Sequence, residues 1–144
     1  MKVFYWSPFI SKVATIEAVI NSALSLTKFN NNSKTPYIIN VAGEWNQYKE
    51  SIHQNKIKLF HLTKFKFLDN KNYNGFLKSR LIYILVFIIS IIPLYKFLKK
   101  EKPNYLIIHL ITSLPLFLNL IFKFKTKIIL RISGMPKMNM LRKF

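Results

Sequence analysis

The residues best suited to chemistry gather in a few short stretches. His109-Leu110-Ile111-Thr112-Ser113 closes an apolar run that begins at Tyr105. His109 is the best-placed titratable group of the chain. An imidazole at a strand end can act as a base or position a hydroxyl; a hydrogen-bonded core histidine is the plainer alternative. Thr112 and Ser113 offer hydroxyls to a ligand, or simply cap the next helix. Arg131-Ile132-Ser133-Gly134 closes a second run. A guanidinium there can hold a phosphate in bidentate fashion, and a core arginine without a partner is costly. Gly134 permits close approach of a ligand to the backbone, or serves as a turn. Trp6-Ser7 ends the first apolar run, with Trp6 either core or site. Glu44-Trp45 follows the second, where a stacking tryptophan has no supporting spacing.

The composition narrows the partners. Lys and Arg number 23 against 5 Asp and Glu, a formal charge of +18, while 51% of the 144 residues are hydrophobic. Such a chain wants an anionic neighbour. Its long apolar runs favour acidic lipid over nucleic acid, and no nucleic-acid module surrounds the basic, aromatic Lys64-Phe65-Lys66-Phe67. No cysteine is present, which excludes disulfides and thiolate metal sites. His53, His61 and His109 show no metal-ligand spacing, so no metal is expected. No Gly-x-Gly-x-x-Gly and no phosphate loop follows any strand, so no cofactor is expected. The amino-terminal stretch does not resemble a signal peptide, which points to the cytoplasm.

The elements that position these residues form a repeating pattern. Apolar, β-branched runs suited to strands begin near residues 2, 37, 57, 105 and 127. Between the first two, Val13, Ile16, Ile20, Ala23 and Leu24 share a helical face behind Ser11, a plausible N-cap. Gly43 relieves a tight turn, and Asn46–Asn55 suits a short helix or loop. Gly75–Lys100 reads as a helix bent at Pro93, and Leu116–Phe122 as another. The sequence predicts an α/β fold in one domain, 1–144: a Rossmann-like, mostly parallel sheet flanked by helices. In such a sheet chemistry sits where strands end.

A rival reading follows from two uncharged runs, Leu81–Tyr95 and Tyr105–Phe122. The first falls short of the roughly 20 residues a span needs, and the second only just reaches candidate length. Under this alternative the chain is a small basic integral membrane protein with two helical spans and no enzymatic activity. Lysines flank both runs on both sides, against the asymmetry a spanning hairpin should show. Peripheral attachment is favoured instead, with Lys64, Lys66, Lys78, Arg80, Lys96, Lys99 and Lys100 at an anionic membrane surface. It should be released by salt or carbonate.

Three stretches resemble bacterial family-4-type glycosyltransferases: Trp6-Ser7-Pro8-Phe9 with Val13–Ile16, Pro103–Pro115, and Leu130–Lys137. The set covers essentially the whole chain and is more specific than any one motif. The resemblance implies the amino-terminal, acceptor-side half of a GT-B fold, incomplete at its carboxy-terminal end and without the nucleotide-sugar domain. It implies transfer of a sugar from a nucleotide donor to a cell-surface glycan or lipid-linked acceptor, at the inner face of the membrane. Under it, His109 is the catalytic candidate. Trp6, Ser7, Thr112, Ser113, Arg131, Ser133 and Gly134 are acceptor-binding candidates. The nucleotide sugar would be held by the missing domain, so residues 1–144 alone should not transfer sugar.

Overall fold

The computed structural model describes residues 1–29, 35–69, 73, 75–109 and 114–131. Five strands form one all-parallel sheet: β1 (Val3–Trp6), β2 (Pro36–Asn40), β3 (Lys58–His61), β4 (Tyr105–His109) and β5 (Lys127–Arg131). Their spatial order is β3-β2-β1-β4-β5. The chain therefore moves outward from β1 to β3, crosses back, and moves outward again through β4 and β5. The fold is α/β and Rossmann-like, and all five strands begin within two residues of their sequence-predicted starts.

The helices are α1 (Thr15–Lys28), α2 (Lys49–Gln54, led in by a short 3-10 turn), α3 (Phe76–Glu101) and α4 (Leu114–Phe122). Strand alternation divides the core into two layers. On one face Val3, Tyr5 and Ile38 pack against Ile16, Val19 and Ala23 of α1 and Ile52 of α2. On the other, Phe4, Trp6, Ile39, Leu106 and Ile108 meet Val86, Leu94, Phe97 and Leu98 of α3 and Leu114 and Leu118 of α4. The phenyl ring of Phe4 anchors that second layer. It stacks on Tyr37 at 4.6 Å and meets Phe97 edge-on at 4.8 Å.

One local expectation is corrected. Ser11 is not the N-cap of α1; the helix starts at Thr15 behind Ala14, which makes no side-chain cap bond. The first turn instead leans on Glu17, whose carboxylate suits a helix N-terminus. The run Tyr105–Phe122 holds a strand and then a helix, as the sheet reading expects. Tyr105–His109 is a strand hydrogen-bonded on both sides, to β1 and β5, and α4 is only 9 residues long. Pro93 lies inside α3, and the helix continues past it to Glu101.

The orientation of α3 matters for everything outside the sheet. Its C-terminus sits where the strands begin: Lys2 Nζ pairs with Glu101 Oε2 at 2.9 Å. Its N-terminus sits where the strands end, because Tyr73 N donates to Ile10 O, 3.2 Å away, just beyond β1.

Candidate functional site

Parallel strands place all their last residues along one edge. In spatial order these are His61, Asn40, Trp6, His109 and Arg131. The strand order reverses between β1 and β4, so Trp6 and His109 flank the topological switch point, where ligands of open α/β sheets bind. Alternation then sorts them by face. Asn40, His61, His109 and Arg131 share the α1 side, whereas Trp6 points into the α3–α4 layer. The structure therefore separates Trp6 from His109. The Trp6 ring is core, buried with Phe4, and its indole Nε1 has no hydrogen-bond partner among the described residues. Ser7, next along the chain, is buried as well.

His109 and Arg131 are register partners on adjacent strands. The imidazole is 2% exposed and lies 5.9 Å from the Tyr5 ring, whose hydroxyl meets Ser22 Oγ of α1 at 3.2 Å. Burial, and secondarily the positive Arg131, push the His109 pKa down to about 4. At neutral pH the ring is uncharged, and its Nε2 is buried with no hydrogen-bond partner among the described residues. A group with so low a pKa is a weak base. It suits holding a neutral polar contact better than taking a proton. Arg131, by contrast, is exposed on the edge strand, and a guanidinium is a group that can hold an anion in bidentate fashion. The remaining acceptor-binding candidates, Thr112, Ser113, Ser133 and Gly134, lie outside the described residues.

A second polar cluster sits at the end of β2, and sequence reasoning reached only part of it. Asn40 Oδ1 accepts from Gly43 N at 3.0 Å, while its Nδ2 donates to Asn46 Oδ1 at 2.8 Å and approaches His61 Nδ1 at 3.4 Å. The Glu44 carboxylate accepts the Val41 and Ala42 N–H groups at 2.9 and 2.8 Å. It is only 2% exposed, and burial outweighs those two donors, raising its pKa to about 7. Trp45 packs edge-on against Phe9 at 5.0 Å and is fully buried, which makes it core. The signal for this cluster was present: Asn40 is a polar residue closing an apolar strand, four residues before one of only five acids.

Gly43 holds the loop in shape. Its φ of +96° is a conformation that side chains resist, and an added Cβ would lie 3.2 Å from both Asp69 Cβ and Lys66 Cα. Gly43→Ala is expected to lower stability by about 1–3 kcal/mol in thermal or urea unfolding. An unchanged midpoint would remove the strain argument.

All seven basic membrane-contact candidates are exposed. The fold divides them into two groups. Lys64 and Lys66 lie in the loop beyond β3, and Lys78 and Arg80 lie in the first turns of α3. Lys96, Lys99 and Lys100 close the same helix, roughly 30 Å away by the helical rise. Among the described residues, no group of three or more His, Cys, Asp or Glu gathers to hold a metal. Comparison with protein-family models, with curated proteins and with solved structures found no match.

Proposed function

We propose that the chain is the acceptor-side domain of a two-domain glycosyltransferase, acting at the cytoplasmic face of a membrane on a cell-surface glycan or lipid-linked saccharide. The observation that carries this reading is the strand-end row. Four polar side chains share one face of an all-parallel sheet; His109 flanks its switch point, and Arg131 is the register partner of His109 on the neighbouring edge strand. The resemblance of Trp6–Phe9, Pro103–Pro115 and Leu130–Lys137 to family-4-type glycosyltransferases supports it. In this reading Arg131 holds an acceptor phosphate, and neutral His109 accepts or donates one hydrogen bond to a saccharide hydroxyl. The nucleotide sugar is bound by a second, facing domain.

The test uses a soluble acceptor analogue, a sugar diphosphate with a short alkyl chain, titrated into residues 1–144 by NMR. Binding is expected to perturb the resonances of His109 and Arg131, and to raise the His109 pKa as an anion offsets the guanidinium. Arg131→Gln should weaken binding by about tenfold or more, the worth of one charge-assisted contact. No perturbation at the strand ends, or equal affinity in the variant, would refute the assignment. Residues 1–144 with a nucleotide sugar should show no transfer, and turnover would overturn the two-domain requirement.

A further inference from the structure

Helix α3 is 26 residues long, and only one side of it is covered. Val86, Ser90, Leu94, Phe97 and Leu98 face the sheet. On the opposite side Leu81, Ile84, Ile88 and Ile92 recur at spacings of three and four, and all are exposed. Beside them α4 shows Leu120, 76% exposed, and Ile121. The α3 stripe alone is an apolar ridge of a kind that soluble surfaces seldom leave open.

The ridge ends in a cation-lined hollow. A cavity of about 670 Å3 opens where α3 and α4 terminate, lined by Lys99, Lys102, Lys123, Lys125 and Lys127. Lys102 and Lys123, each just past the end of its helix, have positive φ values of 42° and 47°, which is uncommon for a non-glycine residue. Tyr95, Phe122 and Phe124 bridge ridge and hollow, with centroids 4.6 to 5.9 Å apart. Lys78 and Arg80 stand at the other end of the helix. The sequence of chemistry along the surface is cation, long apolar stripe, aromatic cluster, cation.

We propose that this surface embeds in an anionic bilayer, with α3 lying in the plane of the interface. The ridge meets acyl chains, the aromatic cluster sits at headgroup depth, and the lysine hollow holds lipid phosphate. The charge complementarity selects lipid over a second copy of this chain, whose own surface is equally basic. A spanning orientation would require the buried face of α3, with Leu94 and Leu98, to leave the sheet. Lysine flanks alone would be released by salt, which screens charge; the ridge adds an attachment that salt does not screen. This deepens the membrane partner of the glycosyltransferase reading. It tests apart from that reading, because vesicle binding needs no saccharide and the acceptor titration needs no lipid.

The experiment is vesicle flotation of residues 1–144, with phosphatidylglycerol-containing and purely zwitterionic vesicles, at low salt and at about 0.5 M NaCl, where the screening length falls to a few ångströms. Wild type is expected to bind the anionic vesicles better and to keep substantial binding at high salt. The variant L81Q/I84Q/I88Q, exposed at all three positions, should fold normally by circular dichroism and bind roughly a hundredfold more weakly at high salt. The variant K99Q/K123Q/K125Q should lose the preference for anionic lipid while keeping the salt-resistant part. The proposal falls if salt releases all of the wild type, if the ridge variant binds like wild type, or if a stable dimer ignores vesicles.

Discussion

Leu94→Ala is expected to destabilise the protein by about 2–5 kcal/mol, as for other large-to-small changes in a packed core. Ile92→Ala, two residues earlier on the same helix, should change stability by no more than about 0.5 kcal/mol. Leu94 is 0% exposed and lies between β1, β4 and the rest of the α3 layer; Ile92 is 64% exposed. Both residues are apolar, and composition does not distinguish them. Only the position of the helix against the sheet does. Urea unfolding in lipid-free buffer measures both, and equal losses would mean that the covered face of α3 has been assigned to the wrong side.

The pH profile should hide two opposing contributions. His109 has a pKa of about 4 in the fold against 6.5 unfolded. The unfolded chain takes up that proton first, so this group's contribution is complete above about pH 6.5 and is lost as pH falls toward 4. Glu44 runs the other way, with a pKa of about 7 in the fold against 4.5 unfolded. Its contribution is complete below about pH 4.5 and is lost as pH rises through 7. Each swing is on the order of 3 kcal/mol, so between about pH 4.5 and 6.5 the two offset each other. His109→Gln should expose the glutamate, giving a protein that loses stability as pH rises across that window. Glu44→Gln should expose the histidine and reverse the slope. Chemical denaturation at several pH values reads both, and flat profiles in both variants would disprove the pairing.

The sheet could be read from residue types because buried parallel strands are continuous apolar runs, and breakers bound each of them here. Pro8, Gly43 and Lys102-Pro103-Asn104 mark strand ends and starts without any knowledge of neighbours. The start of α1 was less visible. Ser11 has the side chain of an N-cap, yet the buried Phe9 and Ile10 tie the chain down past β1, and the helix begins only at Thr15. The site was half visible. Strand ends could be located, but the face each last residue takes depends on register. One step of alternation puts Trp6 in the α3 layer and His109 in the α1 layer. The basic hollow was invisible for the same reason. Lys99 and Lys127 are far apart in the chain, and only the return of α3 and the start of β5 at one edge bring them together.

The position of β1 has a consequence for how the chain reaches this state. Val3 pairs with Tyr105, and beside them Lys2 N donates to Asn104 Oδ1 across 102 residues of chain. The central strand therefore precedes the other four in the chain and is completed late. During synthesis β1 can pair with β2 early, but its other edge stays open until β4 emerges, after the apolar length of α3 has already left the ribosome. Contacts this distant in sequence slow folding, and an open strand edge beside exposed apolar helix invites association with other nascent chains. Engagement of α3 by a lipid surface or a chaperone during that interval would shield the most adhesive part of the chain until Tyr105–His109 arrives to close the sheet.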